Sequence, residues 1–274
     1  MQVVSHKYLA NPELDVRGYM TPQYINLLEA YIKSISLNGK CAVLYAGGVL
    51  LSASEVRNTS KKSPKLRREV LKSTLAIKEL SAYSMHKYIG MLEGRENVTY
   101  ANINGNTCAS SMYSLYEASK LLSEGFDEVV VIAEEKTSHN TLRVFKENRI
   151  DLQVGEGVAI IHLRRGGTDI TNCKWGYEYN RNPFMVTTKG YQLVDTPSDY
   201  VNPHGTGTAT NEDAEQLVFG TRKQIRYKED IGHTQGLSGL LEVCKVLDEE
   251  VKGDVLCVSS GLGGFYGSCI VHKQ

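Results

Sequence analysis

The chain has 274 residues, with 31 Lys and Arg balanced by 31 Asp and Glu, 41% apolar residues and 25 glycines. That is the makeup of a globular protein long enough to bury a large core. Zero formal net charge excludes a general affinity for nucleic acid, because as many carboxylates as cations would face the phosphates.

The first residues, MQVVSHKYLA, lack a basic segment leading into an apolar one, so no secretory signal is read there. Residues 41–47 (CAVLYAG) read as an apolar strand. The apolar stretch they open, Cys41 to Leu51, is 11 residues with two glycines, too short to cross a bilayer. Residues 65–88 carry Leu66, Val70, Leu71, Leu75, Ile77 and Leu80 at helical spacing. A strand over 98–103 leads into a helix over 109–124, which has Met112, Leu115, Tyr116, Ser119 and Leu122 on one stripe and stops at Gly125. Strands follow at 128–133 and 157–163, then the turn RRGGTD and a strand over 171–180. No convincing helix is read between 181 and 198. The chain continues with a strand at 199–203, a helix opening at Asn211-Glu212-Asp213, a helix over 236–249 and strands at 254–260 and 267–273. This alternation predicts an α/β fold with mostly buried sheets, divided near Arg165–Gly167.

Residues 61–72 hold six Lys or Arg and one Glu, which fits a solvated helix start or a docking patch for an acidic partner. The six cysteines are too sparse for a disulfide framework, and no pair has CxxC or HxxxH spacing, so no metal site is expected.

Three motifs carry chemistry. Asn106-Thr107-Cys108-Ala109-Ser110-Ser111 places a thiol on a strand-to-helix turn, where backbone N–H groups and the helix dipole favour a thiolate; a buried cysteine is otherwise an ordinary small hydrophobe. Val201-Asn202-Pro203-His204-Gly205-Thr206-Gly207-Thr208 sets an imidazole among small residues at a strand's C-terminal end, with two hydroxyls able to meet a polar ligand. Lys228-Glu229-Asp230-Ile231-Gly232-His233-Thr234-Gln235-Gly236 sets a second histidine between glycines at the mouth of a helix, five residues after a lysine. Turn chemistry and close helix packing would each explain one such motif, but not three together.

In this order the motifs resemble the Cys-His-His active site of the β-ketoacyl-acyl-carrier-protein synthases, the condensing enzymes of thiolase-like fold. Lys228 matches the family lysine, Glu242 the glutamate nine residues after the second histidine, and Glu215 the acidic position eleven after the first. Residues 259–264 (SSGLGG) resemble the family's glycine-rich turn. The resemblance implies a thiolase-like α/β fold of two similar halves stacked as α-β-α-β-α. Residues 1–166 would carry the nucleophile and 167–274 both histidines, around one shared core. The NTCASS and HGTGT turns are expected at equivalent strand ends of the two halves.

The same resemblance implies a catalytic set of Cys108, His204, His233 and Lys228, with Glu242 and Glu215 in support. Thr206, Thr208, Leu262 and Gly263 would face the substrate. The implied reaction is acyl transfer to Cys108, then decarboxylative condensation with a malonyl thioester, in fatty acid or polyketide-type synthesis. The carrier would be the phosphopantetheine arm of an acyl carrier protein or coenzyme A, with no tightly bound cofactor. A cytoplasmic homodimer, or a heterodimer with another ketosynthase-like chain, is implied. Two alternatives stand beside it: a ketosynthase-like acyltransferase that forms no C–C bond, and a non-catalytic subunit of a full-length ketosynthase.

The chain departs from the family in three places. It has fewer residues before Cys108 and between Cys108 and His204. A helix expected ahead of DYVNPHG is missing or replaced by 181–198. Ser260 and Leu262 stand where aromatic residues are usual.

Overall fold

Residues 1–11, 22–47, 74–135, 152–182 and 185–273 are described by the computed structural model. Their strands pair into two five-stranded sheets. The first contains β1 (Gln2–Ala10), β2 (Cys41–Gly47), β3 (Val98–Asn104), β4 (Glu128–Glu135) and β5 (Gly157–Arg164), in the order β1-β5-β4-β2-β3. The second contains β6 (Ile170–Tyr177), β7 (Tyr200–Asn202), β8 (Lys223–Gln224), β9 (Gly253–Gly261) and β10 (Phe265–Lys273), in the order β6-β10-β9-β7-β8. Strand β5 runs antiparallel to β1 and β4, while β2 runs parallel to β4 and β3. Strands β10 and β7 repeat that scheme in the second sheet. The two sheets are copies of one topology.

Period-two alternation sets the layers. In β2, Ala42, Leu44 and Ala46 face the space between the sheets, while Cys41, Val43 and Tyr45 face outward. The outward set is covered by α1 (Pro22–Lys33) and α2 (Thr74–Met91). Between the sheets lie α3 (Ser110–Ser123) and α7 (Ser238–Asp248). Their Met112, Leu115, Leu240, Leu241 and Cys244 pack in one cluster with Val131 and Ile161 of the first sheet and Val255 and Cys269 of the second. The far face of the second sheet holds α4 (Thr188–Val194) and α5 (Ala209–Phe219) through Tyr191, Val194, Ala214 and Phe219. The stack is α-β-α-β-α around a shared central core. Sheets covered on both faces explain why β2 and β4 read as continuous apolar runs. Among the described residues, no helix is long and apolar enough to cross a membrane.

Three expectations change. The strand expected over 171–180 ends at Tyr177. The helix expected over 65–88 is described as Thr74–Met91; its earlier residues, and the basic segment 61–72, lie outside the described residues. The interval 181–198, read as having no helix, contains α4. Its cap is local: Thr187 Oγ1 accepts from Gly190 N at 3.1 Å. Its seat is tertiary, because Gly190 lies against the Tyr266 ring so closely that a Cβ there would sit 2.0 Å from Cζ.

The duplication also decides which turns correspond. NTCASS follows β3, whose counterpart is β8, so it matches the segment through His233 that opens α7. HGTGT follows β7, the counterpart of β2. The expectation that NTCASS and HGTGT occupy equivalent strand ends is therefore overturned. The matching turns are Thr107–Ala109 and Gln235–Leu237, both three-residue 3₁₀ turns running into a central helix. Their first residues, Thr107 and Gln235, both have positive φ, 52° and 47°.

Candidate active site

The nucleophile turn is held from within. Ser110 Oγ accepts from Asn106 N at 2.8 Å and donates to Thr107 O at 2.6 Å. These bonds hold Thr107 in a left-handed conformation that a β-branched residue rarely adopts. Cys108 follows, 8% exposed, at the head of α3. The glycine-rich turn between β9 and β10 closes over it: Thr107 Oγ1 donates to Leu262 O at 3.2 Å. A Cβ on Gly261 would lie 2.5 Å from Thr107 Oγ1 and 2.8 Å from Asn106 O. Only glycine allows that approach.

His233 reaches the thiol from the second sheet's connecting segments, and His204 stands beside it. His233 Nε2 lies 3.2 Å from Cys108 Sγ, and the His204 ring stands 5.1 Å from the His233 ring, centroid to centroid, nearly perpendicular to it. The first half fixes the His233 backbone: His233 N donates to Gln153 O at 2.7 Å, and Gly155 N donates to His233 O at 3.1 Å. On the ring's other side, Nδ1 lies 3.4 Å from Ser238 Oγ, which lies 3.1 Å from Thr234 Oγ1. Thr234, Ser238 and Nδ1 form a chain of hydrogen-bonding groups that orients the ring with Nε2 toward the sulfur.

Burial governs the charges. It pushes the Cys108 thiol up to about 12, aided by the Glu135 charge and opposed by Lys228 and the backbone N–H groups of Cys108 and Leu262. Burial lowers His233 to about 3 and holds His204 well below its ordinary value, with Lys228 adding to both. The resting site is a neutral thiol facing a neutral His233, with a neutral His204 beside that ring. His204 Nδ1 is buried and has no hydrogen-bond partner among the described residues.

A second ring of residues supports this set. Lys228, 7% exposed, bonds Glu242 Oε1, and Asn202 Nδ2 donates to Glu242 Oε2 at 2.7 Å. Burial raises the Glu242 carboxyl, against the pull of Lys228 and Asn202. Glu215 Oε1 accepts from Gly205 N and from Asn211 Nδ2, each at 2.8 Å, and so fixes the backbone beside His204. Burial also raises the Glu215 carboxyl. Thr206 Oγ1 and Thr208 Oγ1 lie 3.2 Å apart; Thr206, with Gln153, Gly207, Arg226, Lys228 and His233, lines a cavity of about 180 Å³. A cavity of about 380 Å³ among Asp127, Glu128, Arg164 and Arg165 shares no residue with the site.

The structure thus brings together Cys108, His204, His233 and Lys228 with Glu242 and Glu215. Leu262 sits against the nucleophile turn through its carbonyl, which accepts from Thr107 Oγ1 at 3.2 Å. Gly263, with φ 93°, shapes the turn instead. Sequence reasoning missed Glu135, whose Oε2 accepts from Gly236 N at 3.2 Å, and also Ser238 and Asn202. Glu135 ends an apolar strand with a charge, a signal that was there to read. Ser238 is one serine among many and carried none. Among the described residues, no group of three His, Cys, Asp or Glu side chains is placed to hold a metal ion.

No protein-family model matches the chain, and no curated protein does. Solved structures do. A β-ketoacyl synthase from Burkholderia phymatum STM815 superposes with a TM-score of 0.62 at 17% identity, over 88% of this chain and 77% of that one. The ketosynthase from module 6 of the bacillaene synthase of Bacillus subtilis 168 gives 0.61 at 16% identity, over 89% of this chain; the chain spans 56% of that ketosynthase. A third, AntDE:AntF, is a type II polyketide synthase acyl-carrier protein in complex with its ketosynthase bound to the hexaketide. It gives 0.60 at 13% identity, over 86% of this chain and 78% of that one. At these identities the likeness establishes the fold: the chain has the thiolase-like fold of the ketosynthases.

Proposed function

We propose that the chain is a condensing enzyme of the β-ketoacyl synthase type, acting in polyketide or fatty acid synthesis. The observation that carries this reading is the approach of His233 Nε2 to 3.2 Å from Cys108 Sγ with the His204 ring beside it.

In the first half-reaction Cys108 Sγ attacks an acyl thioester. The S–C bond to Cys108 forms, the bond to the carrier's sulfur breaks, and the thiol proton leaves with the carrier. The tetrahedral oxyanion is held by the N–H groups of Cys108 and Leu262, one on the nucleophile turn and one on the glycine-rich turn that closes over it. The His233 Nε2–H steadies the sulfur while it is anionic. This help is needed because burial opposes the thiolate.

In the second half-reaction a malonyl thioester loses carbon dioxide. The enolate carbon attacks the acyl carbon, the C–C bond forms, and the C–S bond to Cys108 breaks; Cys108 regains its proton from solvent. The enolate oxygen carries the developing charge, and the N–H groups of His204 and His233 are its donors. Burial keeps both rings neutral, so each gives a hydrogen bond without first losing a charge. Lys228 acts through Glu242 to hold the cluster.

The carrier is the phosphopantetheine arm of an acyl carrier protein or coenzyme A, with Thr206 at the cavity and Thr208 behind it, 3.2 Å from the Thr206 hydroxyl, as donors to the arm. A homodimer, or a pair with a larger ketosynthase-like chain, would form along β3, an edge strand of its sheet. The test is intact-mass analysis after incubation with a panel of acyl thioesters, beside Cys108→Ala. A gain equal to the acyl group, confined to the wild type, is expected; acylation of Cys108→Ala sinks the reading. A chase with malonyl carrier then gives a β-ketoacyl product. Release of the acyl group without that product would favour plain acyl transfer.

A further inference from the structure

Tyr191 on α4 is wholly buried, and its hydroxyl stands where three segments of the site meet. It lies 2.5 Å from Asn211 Oδ1, 3.1 Å from Glu215 Oε1 and 3.4 Å from Ser260 Oγ. Each partner leads to a working group. Glu215 Oε1 takes the Gly205 N–H at 2.8 Å, one residue past His204. Asn211 donates to the same carboxylate oxygen at 2.8 Å. Ser260 immediately precedes Gly261 and Leu262, the backbone that closes over Cys108. The ring is immobilised edge-on against Phe219 and Tyr266, with centroids 5.4 Å away in both cases.

We propose that Tyr191 is a positioning residue that sets the His204 ring and the Leu262 amide at a fixed separation, by tying the loop after β7 to the glycine-rich turn after β9. The proposal deepens the condensing-enzyme reading and rests on the roles given there to His204 and Leu262. Its physical basis is connectivity. Gly205 and Gly207 have φ of 58° and 73°, so the loop bearing His204 has a backbone with little stiffness of its own. One hydroxyl between Asn211, Glu215 and Ser260 supplies what the glycines lack. Without it, the acceptors on Asn211 and Glu215 lose the one O–H proton they share, Ser260 loses its neighbour, and the loop is free to shift. Acylation, which needs Cys108 and the Leu262 amide, would suffer less than condensation, which needs His204 as well.

The test compares Tyr191→Phe, which removes only the hydroxyl, with Phe219→Leu, which loosens the ring's packing and leaves the hydroxyl. In ¹⁵N-histidine-labelled protein, Tyr191→Phe is expected to shift or broaden the His204 ring resonances, and Phe219→Leu to lower Tm while leaving them in place. In turnover, Tyr191→Phe should lower kcat about tenfold with KM nearly unchanged. His204 resonances unchanged in Tyr191→Phe, or moved equally by both variants, would overturn the proposal. The spectra decide this without any turnover. Wild-type protein that no thioester acylates would count against the condensing reading alone.

Discussion

His233 Nε2 faces Cys108 Sγ across 3.2 Å, although the two residues are 125 positions apart and belong to different sheets' connecting segments. Both groups are buried, Cys108 at 8% and His233 at 3% exposure, and so are largely excluded from bulk water. The behaviour of each group with pH follows from that exclusion.

Cys108 should react slowly and without an early plateau. Its thiol titrates at about 12, so the thiolate fraction keeps growing through the alkaline range. Peptide-resolved iodoacetamide labelling should rise about tenfold per pH unit from pH 7 to 10, whereas an ordinary thiol levels off above about 8.5. A plateau below pH 9 would contradict the burial.

Acid should destabilise the fold through the histidines. His233 is lowered to about 3, below the 6.5 it has when unfolded. Between those values the unfolded chain binds a proton that the folded chain refuses, so stability is complete above pH 6.5 and falls as pH falls toward 3. His233→Asn should therefore lose about 2 kcal/mol less than wild type between pH 7 and pH 5. Urea unfolding at the two pH values gives the comparison. Equal losses in both proteins would mean that His233 is solvated.

Lys228 and Glu242 are buried together, and removing one strands the other. Lys228→Met should cost about 3–5 kcal/mol. The double variant Lys228→Met with Glu242→Gln neutralises both and keeps an acceptor for Asn202, so it should recover most of that stability while leaving condensation impaired. Thermal unfolding and product formation read the two effects separately. Recovery of activity along with stability would remove Lys228 from the mechanism.

Gly261→Ala forces a methyl group against the nucleophile turn, with Thr107 Oγ1 at 2.5 Å and Asn106 O at 2.8 Å. Displacement of the turn should slow Cys108 acylation between about 10- and 100-fold. Gly90→Ala, where a Cβ meets nothing within 4 Å, is the control and should acylate at the wild-type rate. Parallel single-turnover measurements decide it; equal rates would mean the two turns do not press on one another.

The centre of the fold was legible because burial writes itself into the sequence. Strands such as EVVVIA and GVAIIHL are covered on both faces and so are apolar almost throughout, their two polar members Glu128 and His162 paired with each other at 3.1 Å. The margins were not legible. β1 is an edge strand that mixes Ser5, His6 and Lys7 with its apolar residues, and α4 has seven residues, one of them Gly190, held by Tyr266. The catalytic set was legible because glycines and histidines cluster locally in it. Some of its supports were not: Tyr191 and Gln153 matter only because the topology brings distant segments onto one site.

Thr107 and Gln235, with their shared positive φ, are the fossil of a repeated unit. A chain of two identical halves would have carried the same residue after each of them, where this one has Cys108 and Gly236. Gly236 already lies with its Cβ position 2.9 Å from Gly47 Cα and 3.3 Å from Thr107 O. A second side chain does not fit at that crossing. The packing of the two turns therefore makes the repeat asymmetric: only the first half has room for a nucleophile at this position.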